Sequence, residues 1–185
     1  ENCYATALAG HRAAILFNAV CSGNGFMIYT EKSTDKYIME RMEKFMSKVA
    51  VVYWSGTGNT EAMATAVAEG AQEKGAEVSL MSCGEFGADR MDEFDAVAFG
   101  CPSMGAEQLE EGDFEPMFTA CEGKLAGKKI ALFGSYGWGD GEWMRSWEDT
   151  CRSDGAVFVY DSVICHEAPD GDALSDCKAL GAALV

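Results

Sequence analysis

Between Lys48 and Gln72 a run of β-branched and aromatic residues, VAVVYW, stops at the turn SGTGNT and restarts at once as an alanine-rich helical pattern. A short apolar run without alternation is a strand buried on both faces, and such strands belong to parallel sheets covered by helices on both sides. The alternation then continues to the end of the chain. A helix is expected from Asn59 to Lys74, with Gly75 as its stop. Strands follow at Glu77–Met81 and Ala96–Gly100, separated by a short amphipathic piece at Asp89–Phe94. Beyond them come a helix at Glu115–Cys121, a strand at Lys129–Tyr136, a helix at Glu142–Arg152, a fifth strand at Val157–Val163 and a closing helix from Asp172. Five apolar strands joined by helices predict an α/β fold, a doubly wound five-stranded parallel sheet with helices on both faces. Ligands of such sheets sit beyond the carboxyl ends of the strands, where the strand order switches direction.

The glycine-bearing loops fall at that edge. Ser55–Thr60 follows the first strand, GCPSMGAE (Gly100–Glu107) the third, and GSYGWGDGEW (Gly134–Trp143) the fourth. In the first loop, backbone N–H groups at a helix N-terminus form an anion site, and glycines let the chain curl around oxygens. Ser55, Thr57 and Thr60 add hydroxyls and Asn59 an amide. No Lys-Ser/Thr pair follows Gly58, so this is not a Walker A loop, and Glu61 replaces the third glycine of the dinucleotide fingerprint. With no Lys or Arg from Val49 to Glu73, the loop suits one tightly held monophosphate. Trp138, between Gly137 and Gly139, is offered to a flat ligand, and Met104 can cover the other face of that ligand. A flat ring with one phosphate on its tail points to FMN.

Composition limits the alternatives. A chain of 185 residues supplies one well-cored domain, and no apolar run reaches the roughly 18–20 residues that span a bilayer. The net charge of −16 is uneven: five acids balance five bases before Met46, leaving 25 acids against 9 bases from there on. Such a surface repels nucleic acid and anionic membranes and steers toward basic partners. Eight cysteines without a CxxC spacing offer no metal clamp and are read as reduced thiols of a cytoplasmic protein.

Residues 1–45 do not share the pattern. Ala13–Val20 is a poor secretory signal, and Asn18 stands where a lipid-anchor motif around Cys21 would want an aliphatic residue. The expectation is an over-extended or disordered N-terminal extension, with translation of the working domain, 46–185, beginning at Met46. The Met42-Glu43-Lys44 codons can supply a ribosome-binding sequence just ahead of it.

Taken together, VYWSGTGNTEAMA, GCPSMGAE and LFGSYGWGDGEWM resemble the three flavin loops of the short-chain flavodoxins, in the family's order and spacing from Met46 onward. The resemblance implies a flavodoxin-like sheet in the order 2-1-3-4-5 and non-covalently bound FMN. It also implies a low-potential one-electron carrier, not an enzyme, shuttling between semiquinone and hydroquinone. Carried over by position, Ser55, Gly56, Thr57, Gly58, Asn59 and Thr60 hold the phosphate, while Met104 and Trp138 sandwich the ring. The backbone of Gly105, Ala106, Glu107, Ser135, Tyr136, Gly137 and Gly139 lines its polar edge, and Glu107 accepts from the ring N3–H. Gly105 gives freedom to a carbonyl that turns toward N5–H.

Where the family commonly has Gly, Asn or Asp after that glycine, this chain has Ala106. If the turn needs positive φ there, the strain is about 1–2 kcal/mol, and Ala106→Gly is expected to raise the first potential. The unneutralised phosphate and the acids Glu107, Glu110, Glu111, Asp113 and Asp140 disfavour a second electron. They would also steer basic-surfaced redox partners to a monomeric carrier.

Other readings of the same architecture fit less well. An NAD(P)H-dependent quinone or FMN reductase needs an open pocket over the flavin, where Trp138 stands, and often an insertion near the last strand. A phosphoacceptor domain needs acids after the first strand and an aspartate after the third, where Trp54–Ser55 and Cys101–Pro102 lie. Gly134-Ser135-Tyr136-Gly137 is not a nucleophile elbow, and His11 and His166 are read as surface residues.

Overall fold

A computed structural model describes residues 46–185. The readings placed on residues 1–45, including those at Ala13–Val20, Cys21 and His11, lie outside the described residues.

The first strand, β1 (Lys48–Tyr53), leads into α1 (Asn59–Glu73), and β2 (Glu77–Ser82) follows. Gly75, at φ 89°, ends the first helix as expected. Two 3₁₀ turns, Cys83–Glu85 and Ala88–Glu93, occupy the amphipathic stretch before β3 (Ala96–Gly100). The chain continues through α2 (Phe114–Glu122), β4 (Lys129–Tyr136), α3 (Glu142–Ser153), β5 (Val157–Phe158), β6 (Val163–His166) and α4 (Gly171–Ala183).

All pairings between the strands are parallel, in the order β2-β1-β3-β4-β5, with β6 also on β4. The expected order 2-1-3-4-5 therefore holds, but the fifth strand is not continuous. Val157 pairs with Lys129, whereas Val163 pairs with Phe133, so the edge strand carries two residues more than its partner between those points. Residues 159–162 bulge around this excess, with Tyr160 and Asp161 exposed. An insertion of two preserves the alternation of side chains between faces, so the edge tolerates it.

Strand alternation divides the core in two. Ala50, Val52, Val97, Phe99, Ile130 and Leu132 face Phe114, Phe118, Trp143 and Trp147 of α2 and α3. Val49, Val51, Ala96, Ala98, Ala131 and Phe133 face Met63, Val67, Cys177 and Leu180 of α1 and α4. Helices thus cover both faces, as the unbroken apolar strands require. The second layer is thin because α1 and α4 cross at glycines. A Cβ on Gly181 would collide with the Val67 carbonyl, and one on Gly70 with the Lys178 carbonyl.

Candidate functional site

The loops after β1, β3 and β4 leave three adjacent strands at their carboxyl ends, over the reversal of order between β1 and β3. Trp54 N–H donates to the Gly100 carbonyl (2.9 Å), and Ser103 N–H to the Ser135 carbonyl (2.9 Å), so each loop starts tied to its neighbour.

In the first loop Gly58 takes φ 91° as the N-cap of α1, a conformation that favours glycine. Its N–H donates to Ser55 Oγ (3.0 Å), which folds the turn on itself. Nothing lies within 4 Å of where a Cβ on Gly58 would stand, so the cradle is open above the helix end. Thr60 points inward instead: it is buried, and its Oγ1 lies 3.3 Å from Ser135 Oγ on β4. The Trp54 ring lies under Gly56, where a Cβ would come within 2.9 Å of Cη2. Trp54 shapes this turn, although no motif marks it in the sequence. Its position between a strand and a glycine turn was the available signal.

In the second loop Met104 and Gln108 exchange two backbone hydrogen bonds (2.9 Å each), closing a tight hairpin. Gly105 (φ 48°) and Glu107 (φ 53°) are left-handed; Ala106 is not. In this conformation the backbone strain expected at Ala106 falls on Glu107. Glu107 Oε1 crosses to the third loop, accepting N–H from Asp140 (3.0 Å), Gly141 (3.0 Å) and Glu142 (3.3 Å). Glu110 turns away from the shelf, accepting N–H from Gly112, Asp113 and Phe114 (2.9 Å each) at the start of α2. Burial works to raise its carboxyl, but these donors outweigh burial and hold it below the ordinary value.

In the third loop the Tyr136 ring packs against Trp143 (5.5 Å) and His166 (5.3 Å), and its carbonyl accepts N–H from Glu167 (2.7 Å). Trp138, 54% exposed, is the most exposed large apolar side chain among the described residues, and Met104 is 37% exposed. Asp140 and Glu142 both pair with Arg145 Nη2 (2.6 and 2.8 Å). Among the described residues no cluster of His, Cys, Asp and Glu could hold a metal.

A phosphorylated flat cofactor suits this shelf. The donors of the first loop, with no fixed cation among them, would meet its anion end, and Ser103 Oγ of the second loop is buried without a partner. Met104 and Trp138 stand exposed on the second and third loops. Fold and site define a doubly wound α/β protein with a neutral anion cradle at its switch point.

Sequence comparison narrows that class to one family. The family model described as flavodoxin matches residues 51–181. The flavodoxin of Clostridium beijerinckii is 45% identical over 131 residues, covering 71% of this chain and 94% of that protein. The flavodoxin of Megasphaera elsdenii is 45% identical over 135 residues, 73% and 96% of the two chains. The solution structure of two-electron reduced Megasphaera elsdenii flavodoxin superposes with TM-score 0.69, over 74% of this chain and 97% of that one. An archaeal flavodoxin at 29% identity superposes with TM-score 0.65 over 74% and 95%. The chain belongs to the flavodoxin family. It is an FMN-based electron carrier that passes electrons to redox partners, not an enzyme, and the reductase reading is not favoured. No helix among the described residues is long and apolar enough to cross a membrane.

Proposed function

We propose that residues 46–185 are the FMN-binding domain, with the cofactor lying across the three loops beyond β1, β3 and β4. One observation carries this reading: a neutral, donor-rich turn at the head of α1 sits in a single hydrogen-bonded assembly with two exposed apolar side chains. Ser55, Gly56, Thr57, Gly58, Asn59 and Thr60 would hold the phosphate through N–H groups, the Asn59 amide and the Ser55 and Thr57 hydroxyls. Thr60 would give only its N–H, because its hydroxyl turns inward to Ser135. Met104 and Trp138 would cover the two faces of the ring. The backbone of Gly105, Ala106, Glu107, Ser135, Tyr136, Gly137 and Gly139 would line its polar edge. When bound, FMN supplies the one-electron redox chemistry.

The rest is the work of this chain. Leaving the phosphate unneutralised and placing Glu107, Glu111, Asp113 and Asp140 around the shelf penalises any gain of negative charge there. Reduction is therefore pushed to low potential. Those acids on a chain with 25 acids against 9 bases from Met46 onward favour basic-surfaced redox partners. Their mutual repulsion supports a monomer. Six described cysteines, all free and buried, support a reducing, cytoplasmic setting.

Titration of the apoprotein with FMN and with riboflavin tests the phosphate assignment. Several charge-assisted hydrogen bonds at roughly 1.5–3 kcal/mol each predict at least about hundredfold tighter binding of FMN. Equal affinities would remove the turn at 55–60 from the site.

A further inference from the structure

Helix α3 begins at a glycine. Gly141, at φ 93°, is its N-cap and has no side chain to accept from the first turn, as Ser, Thr or Asp would. Asp140, one residue earlier, is drawn off by Arg145, which takes Asp140 Oδ1 (2.6 Å), the Asp140 carbonyl (2.8 Å) and Glu142 Oε2 (2.8 Å). The cap arrives instead from 34 residues away: a single oxygen of Glu107 accepts the N–H groups of Asp140, Gly141 and Glu142. A negative charge at a helix N-terminus is favoured by both the free N–H groups and the helix dipole. Gly139 makes room for this contact, since a Cβ there would collide with the Glu107 carboxylate. Glu107 meanwhile holds a left-handed backbone, φ 53°, which a non-glycine residue keeps only when its surroundings fix it.

We propose that Glu107 is a positioning residue that clasps the second and third loops together before the cofactor arrives. Its carboxylate anchors the Met104–Gln108 hairpin to the first turn of α3, fixing Met104 and Trp138 on either side of a preformed slot. Unclasped, the two loops move independently, and only a fraction of the apoprotein is competent to bind, which lowers apparent affinity by that fraction. The charged groups around the clasp are Asp140, Glu142 and Arg145 on α3 and its leading turn, and Glu110 and Glu111 on the loop of Glu107 itself. Arg145 offsets the two nearest acids, so the Glu107 charge faces the helix end rather than its neighbours.

The proposal rests on the assignment of these loops to FMN, and a cofactor-free readout keeps the two apart. In the apoprotein, amide exchange at Asp140, Gly141 and Glu142 is expected to speed up about tenfold in Glu107→Ala relative to the parent, since those amides lose their acceptor. Glu107→Gln keeps an acceptor oxygen and should recover part of the protection. Stopped-flow mixing with FMN should then show association slowed about tenfold in Glu107→Ala, whatever any lost contact with the ring does to dissociation, and partial rescue of association in Glu107→Gln. Unchanged exchange in Glu107→Ala would overturn the clasp. Lost affinity residing in dissociation alone would also overturn it, because Glu107 would then act only by touching the cofactor. A parent protein that binds no FMN would instead reject the site assignment, leaving the exchange result to decide the clasp.

Discussion

Glu110 holds the start of α2 with one carboxylate and three backbone N–H donors, and those bonds depress its pKa in the folded chain. A depressed carboxyl stabilises the fold above its unfolded pKa, and the contribution is lost as pH falls through the folded value. Glu110→Gln should therefore cost up to about 1 kcal/mol near pH 7, discounted for solvent screening, and the gap should close at an acid pH below the folded value. Urea unfolding at both pH values checks this. Trp138, more than half exposed, makes the opposite prediction. Trp138→Ala should leave apoprotein stability within about 0.5 kcal/mol while weakening FMN binding by about 1–2 kcal/mol. A clear loss of apoprotein stability would make it a packing residue.

At this scale the sequence was half readable. The donors at 55–60 announce themselves by type and spacing, and structure shows the same turn with Gly58 left-handed. The residue order alone could not show that Thr60 turns inward to Ser135, because inward and outward hydroxyls look alike in sequence. The strain expected at Ala106 sits on Glu107, since the hairpin closes between Met104 and Gln108 and the clasp fixes Glu107.

Among the elements, the crossing of α1 over α4 gives two effects of opposite sign. An alanine at Gly70 or Gly181 gains about 1 kcal/mol of helix propensity. It also drives a Cβ into the facing carbonyl, and overpacking of this kind costs about 1–3 kcal/mol. Packing is expected to win, so either substitution should destabilise the domain by up to about 2 kcal/mol in urea unfolding; a stabilised variant would mean the helices can separate freely. The helix and strand spans followed closely from periodicity wherever both faces of a strand are buried. The fifth strand did not, because Val157–Val163 lies at an edge, where no second neighbour enforces register. An apolar run at an edge is compatible with one strand or with two joined by a bulge.

Over the molecule as a whole, excess negative charge and buried thiols set the chemistry that partners and reagents meet. Burial pushes the Cys151 and Cys177 thiols up to about 12 and Cys121 up to about 11, with nearby acids adding to the shift. Since the thiolate is the reactive form, the six described cysteines should resist a thiol reagent in the native protein and react once it is unfolded in urea. Ready labelling of the folded domain would contradict the core assignment. Uncharged phosphate donors and surrounding acids would make this a one-electron carrier of low potential. An optical redox titration of the FMN-loaded protein tests it most directly. The prediction is two resolved one-electron steps, the second far below the first, with no direct reduction by NADH or NADPH. A single two-electron step, or rapid bleaching by a nicotinamide cofactor, would contradict it.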